Sequence, residues 1–235
     1  MNTQVRPTRR LAFGTLVATS AAVAGLAFAG LVGESATHAG AHDHTSSSSA
    51  TAQRSNAKAL RLHEKMRKLW EDHIVWTRLA IVSFAADSPD LEPTVSRLLR
   101  NQDDIGDAIK PFYGRQAGER LTALLKDHIN GAVDVFVAAK SGDQQALESA
   151  NAAWYRNGRQ IADFLRRANP RNWGRAAMRA MMRTHLDQTL SEASHQLSGD
   201  YRASIRDYDA VHHHILEMAD ALSAGIVAQF PSRFR

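Results

Sequence analysis

The chain contains no cysteine. Disulfide frameworks, thiolate zinc sites and cysteine nucleophiles are therefore excluded, and a metal would have to sit on His, Met, Asp or Glu. It also lacks a strong charge bias. Of its 29 basic and 24 acidic residues, three Arg and one Glu fall in the first 41 positions, and setting these aside takes the formal net charge from +5 to +3. Arg far outnumbers Lys, so the high isoelectric point reflects a small excess of strong bases. No basic stripe of the kind that neutralises phosphates is present, which excludes nucleic-acid binding. There is no Gly-rich phosphate loop, no Gly-x-Ser-x-Gly elbow and no dinucleotide fingerprint, so the common nucleotide and hydrolase chemistries are absent. No stretch alternates apolar and polar residues as a strand would.

What is present begins with a targeting segment. Residues Leu11 to Gly33 carry no charged side chain, are rich in Ala, Leu, Val and Gly, and follow Arg6, Arg9 and Arg10. This pattern marks an export signal over residues 1–41. An uncleaved anchor is the alternative, since these 23 residues are long enough to cross a hydrocarbon core of roughly 30 Å. Thr8-Arg9-Arg10-Leu11-Ala12-Phe13 resembles the twin-arginine signal, with Ala12 where that pattern has Phe. Cleavage after Ala39 or after Ala41 would leave a histidine third from the new terminus. A terminal amine, two amides and an imidazole suit square-planar Cu(II) or Ni(II); equally, His38, His42 and His44 are polar residues of a linker. The Ser-, Ala- and Thr-rich stretch to Asn56 reads as a flexible tether over 42–56. The protein is thus expected outside the cytoplasmic membrane, secreted or tethered, touching the membrane only through an uncleaved N-terminal segment.

From residue 57 to 231 apolar residues recur three and four apart, which predicts an all-α domain. At 235 residues in total, with a front end that joins no core, one domain is expected. Turn residues at Asp87-Ser88-Pro89-Asp90, Lys110 to Gly114, Ser141-Gly142-Asp143, Asn169-Pro170 and Ser198-Gly199-Asp200 divide it. Helices are predicted near 56–86, 91–109, 115–140, 143–168, 173–197 and 200–230. The second is a short accessory to an antiparallel up-down bundle, because such short connections force neighbouring helices to reverse direction.

Within this pattern several polar residues fall on apolar faces near the middle of their helices. The stripes are Leu62, Met66, Leu69, His73, Trp76, Ala80 and Phe84 in the first helix, and Leu121, Leu125, His128, Ala132 and Val135 in the third. The fourth gives Trp154, Asn157 and Ile161, the fifth Met178, Met182, His185 and Thr189, and the last Ile205, Tyr208, His212 and Ile215. In an antiparallel bundle helix midpoints share one level, so His73, His128, His185 and His212 are candidate metal ligands. Asn157 is a candidate cofactor contact in the same layer. Neutral imidazoles suit Cu, Zn, Ni or Fe, as a bare ion or in haem. Met66, Met178, Met181, Met182 and Met218 add thioethers that favour copper. The alternative is a cofactor-free interaction or scaffold module whose histidines fix helix register. Neither the di-iron Glu-x-x-His pair nor His-Glu-x-x-His is present, and no catalytic residue is assigned. Asp72, Asp127 and Asp209 lie near the histidines, either as ring-orienting acceptors or as surface acids. Arg78 is expected to pair with a neighbouring carboxylate.

Six segments carry a resemblance. They are Leu69-Trp70-Glu71-Asp72-His73 leading to Trp76-Thr77-Arg78, Asn101 to Gly106, Lys110 to Gly114, Leu125 to His128, Trp154-Tyr155 with Asn157, and Gly225-Ile226-Val227 ending at Gln229-Phe230-Pro231. Together they resemble a family of small bacterial helical proteins without a settled activity. The resemblance implies a helical bundle and carries over no catalytic residue.

Overall fold

The computed structural model describes residues 45–235, with side chains placed from residue 56 onward. The export segment, the twin-arginine motif, both cleavage sites and His38, His42 and His44 lie outside the described residues. Six helices follow one another: α1 (Thr45–Ala85), α2 (Leu91–Tyr113), α3 (Arg115–Ser141), α4 (Gln144–Ala168), α5 (Arg175–Ser198) and α6 (Tyr201–Gln229). A 3-10 turn, Pro231–Arg233, follows α6. No strand occurs among the described residues. The fold is the all-α bundle that the apolar periodicity predicts.

The helix boundaries follow from local chemistry. The Ser-Gly-Asp triplet occurs at two of the turns and acts the same way in each. Gly142 and Gly199 end α3 and α5 in the left-handed conformation, at φ of 73° and 81°, where a side chain would be strained. The following Asp143 and Asp200 start the next helix by accepting hydrogen bonds from Ala146 N at 2.9 Å and Ala203 N at 3.0 Å, which satisfies amides that the helix itself leaves free. Between α2 and α3 only Gly114 intervenes, at φ of 84°.

Two elements are longer than expected. The second helix is no short accessory: it runs for 23 residues and carries Pro111 within its last turn, where the missing amide forfeits one helical bond and the fixed φ of proline is already helical. The first helix begins at Thr45, inside the stretch read as a flexible tether.

Each helix packs on its neighbours in sequence, and α6 returns to pack on α1, so the six close a ring around one core, with a minor contact between α1 and α5. Short connections make successive helices antiparallel. Hence α1, α3 and α5 share one direction and α2, α4 and α6 the other. The walls approach closely where glycine removes a side chain. A Cβ on Gly106 would meet Gly118 O at 2.7 Å, and one on Gly118 would meet Gly106 O at 2.6 Å, so α2 and α3 touch backbone to backbone.

One end of the ring gathers two of the sequence motifs and the turn between α4 and α5. Tyr113 Oη donates to Gln229 Oε1 at 2.7 Å, Gln229 Nε2 donates to Ala168 O at 3.0 Å, and Asn169 Nδ2 donates to Gly225 O at 2.8 Å. Buried Trp173 covers Gly225 and donates to Ala221 O at 3.2 Å. Phe112 stacks on Phe234 and leans on Phe230. The Lys110–Gly114, Asn169–Trp173 and Gly225–Pro231 segments are thus one structural plug, which explains their distinctive composition without a ligand.

Candidate functional site: a buried imidazole layer

The three parallel helices each send one histidine into the middle of the ring. His73 of α1, His128 of α3 and His185 of α5 are 2–3% exposed. The ring centroids of His73 and His185 stand 5.7 Å apart, and those of His128 and His185 are also 5.7 Å apart. Two intervening helices supply amides to the same layer. From α4, Asn157 Oδ1 pairs with His128 Nδ1 at 3.1 Å, while Asn157 Nδ2 donates to Leu124 O at 3.0 Å. Because an amide oxygen only accepts, His128 carries its proton on Nδ1. From α2, Gln102 stands beside His73 and spends its amide hydrogens on Leu98 O at 2.7 Å and Asn101 Oδ1 at 3.1 Å. Tryptophans frame the layer: Trp154 stacks on His128 at 5.3 Å and donates to its carbonyl at 3.0 Å, and Trp70 meets His73 edge-on at 5.8 Å.

The layer is held neutral. Burial drives the pKa of His73 down from 6.5 to about 3, with the nearby His128 adding to the effect and Gln102 opposing it. Burial likewise lowers His128 to about 4, against the favourable Asn157 contact. For His185 burial again leads, followed by His128, His73 and His214, and the pKa lies well below the ordinary value. A proton on one ring is therefore repelled by the others. His73 Nδ1, His185 Nδ1 and Gln102 Oε1 are buried without a hydrogen-bond partner. Such a group costs about 1–3 kcal/mol when left unmade, and all three belong to the same layer.

His212 is not in this layer. It sits at the surface with Nε2 at 3.2 Å from Glu71 Oε1, its side chain 30% exposed. The inward line of α6 runs through Ser204, Val211, Ile215 and Met218, so the stripe through Ile205 and Tyr208 lies at the margin of the core: Ile205 is exposed and Tyr208 only half-buried. The histidine of α6 that does influence His185 is His214, whose Nε2 reaches Met181 O at 2.9 Å. Asp127 and Asp209 are exposed and Asp72 pairs with Lys68 at 2.5 Å, so none of the three orients a ring. Among the described residues no group of three or more His, Asp or Glu side chains stands ready to hold one ion.

Two features escape the sequence patterns. Gln102 lies in the layer although nothing in the Asn101-Gln102-Asp103-Asp104 run singles it out. A second buried polar group joins α1, α5 and α6: Arg78 Nη1 donates to Glu192 Oε1 at 3.1 Å and to Ser204 Oγ, which in turn donates to Gln196 Oε1 at 3.0 Å. Glu192 is fully buried. Burial raises its pKa to about 7, against the pull of Arg78. The partner expected for Arg78 is therefore this carboxylate.

No protein-family model, curated protein or solved structure matches the chain. Fold and site nonetheless define a class: a closed six-helix all-α bundle with a buried layer of neutral imidazoles and amides at its centre.

Proposed function

We propose that this is an exported bundle whose central layer binds a transition metal or metallocofactor through His73, His128 and His185, with Asn157 and Gln102 as supporting amides. One observation carries the reading: neutral imidazoles from three helices converge, and two of them retain buried nitrogens without partners. Neutral imidazole is the ligating form, and Cu, Zn, Ni and Fe accept it. His212 drops out of the ligand set because of its place at the surface. Export rests on the charge-free run Leu11–Gly33 behind Arg6, Arg9 and Arg10.

A second reading has its own support. Since no three acidic or imidazole side chains are preassembled around a point among the described residues, the layer also suits a cofactor-free interaction module in which polar groups fix helix register. The experiment that separates them is metal content and visible absorbance of the protein purified from its own host, without a His tag or chelating resin. Stoichiometric metal or a haem band, lost in His128→Leu with helicity retained, supports the site. A colourless, metal-free protein whose melting temperature ignores added Cu(II) and Zn(II) overturns it, because a ligand that binds only the fold must stabilise it.

A further inference from the structure

A separate crevice of about 490 Å³ opens between α1, α2 and α3, within the range of roughly 300–1,000 Å³ typical of small-molecule sites. Its buried floor is Ile81, Leu98, Ile129, Ala132 and Phe136. The one polar group there, Thr77 Oγ1, is turned back onto His73 O at 2.7 Å. With the Thr77 proton already spent, the floor consequently suits an apolar tail. Polar atoms occur at the rim, on exposed Glu92 and Ser96 and half-buried Ser88.

The rim also sets the sign of the head group. Glu92 is the only ionisable residue lining the crevice. Asp90, next to it in the turn, is kept ionised below the usual carboxylate range by the hydroxyls of Ser88 and Ser83. Of the cations near the crevice, Lys140 is committed to Phe84 O at 2.9 Å and Asp87 Oδ1 at 2.5 Å, and Arg97, beside Ser96, lays its guanidinium over the Trp76 ring at 5.2 Å and does not line the crevice. An anionic amphiphile would meet the Glu92 carboxylate at the lining, whereas a cation would be attracted to it. We propose that the crevice binds an amphiphile with a single apolar tail and a protonated amine head, the tail on the Ile81–Leu98–Ile129 floor and the head at Glu92. This inference does not depend on the imidazole layer holding metal.

The test uses the full chain and displacement of the neutral fluorophore N-phenyl-1-naphthylamine by decylammonium, decanol and decanoate. Glu92 lies exposed, and an exposed ion pair supplies up to roughly fivefold in affinity. Decylammonium is therefore expected to displace the dye a few-fold more tightly than decanol and more tightly still than decanoate. Val133→Trp, which fills the half-exposed wall, should abolish the displaceable signal while helicity is kept. Glu92→Gln, at the surface, should bring decylammonium down to the level of decanol. Equal potency of the amine and the acid, or displaceable signal undiminished in folded Val133→Trp, overturns the proposal. Should Val133→Trp fail to fold, an unchanged amine preference in Glu92→Gln overturns it alone.

Discussion

At the scale of the residue, the least compromising contact in the bundle is Arg78 with Glu192. The carboxylate is fully buried and its Oε2 has no partner, so its charge depends on the single Arg78 guanidinium at Oε1. Removing only the cation leaves a buried acid that must either stay ionised unpaired or take up a proton. Arg78→Met is expected to cost about 3–5 kcal/mol, as broken buried ion pairs do. The double variant Arg78→Met with Glu192→Leu should recover most of that loss, since apolar replacements of a buried pair are often neutral. Urea unfolding of the two single variants and the double reads this directly, and a double no better than Arg78→Met would show that the pair is not the source. A carboxylate partner for Arg78 is legible in the sequence, but Glu192 is not legible as that buried partner, because a carboxylate on a helix face is an ordinary surface residue until a partner covers it.

At the scale of the element, apolar periodicity fixes a face only as well as its residues are distinct. Helix α3 has one clear stripe, and the buried residues Leu121, Leu125, His128, Ala132 and Val135 follow it. In α1 the line departs from the expected stripe at Trp70: besides His73, the buried residues from there on include Trp70, Ile74, Thr77 and Ile81 rather than Leu69, Trp76, Ala80 and Phe84. Large apolar groups on neighbouring faces of that helix made two lines plausible, and ring closure chose between them by covering α1 from both α2 and α6. The same ambiguity placed His212 inward, because Ile205 and Tyr208 mimic a core line that Ser204 and Val211 occupy. Small residues carried the inverse information. Gly106 and Gly118 have no apolar signal, yet they set the distance between α2 and α3. Gly106→Ala gains up to about 1 kcal/mol of helix propensity, but its methyl would collide with the facing backbone and Thr122. Overpacking of this kind costs about 1–3 kcal/mol. A net loss of stability in thermal unfolding is therefore expected; a stabilised Gly106→Ala protein would mean that α2 and α3 can separate freely.

At the scale of the whole molecule, the buried titratable groups make stability a function of pH. In the unfolded chain His73, His128 and His185 accept protons near 6.5, while in the fold His73 and His128 resist them to about 3 and 4 and His185 to well below its ordinary value. A base whose folded pKa is depressed stabilises the fold above its unfolded pKa and withdraws that stability as pH falls, at about 1.4 kcal/mol per pH unit for each group. Glu192 acts in the opposite sense. Its folded pKa of about 7 lies above the ordinary 4.5, so its contribution is full below 4.5 and is lost as pH rises through 7. Between 4.5 and 6.5 three imidazoles oppose one carboxylic acid, and the imidazoles win by about two protons, or roughly 2.7 kcal/mol per pH unit. Against a total stability of about 5–15 kcal/mol for an ordinary domain, such a slope brings the bundle to its unfolding midpoint within a few units below neutrality. Urea midpoints measured at pH 7.5, 6.5 and 5.5 on metal-free protein should be highest at the neutral end and fall steeply below 6.5. His185→Leu should flatten the acid limb by about half of that net slope, since it removes one proton of two. A profile level from 7.5 to 5.5, or one that His185→Leu leaves as steep as before, would mean that the imidazoles exchange protons with solvent and that the centre of the ring is not the sealed, neutral layer on which a metal site depends.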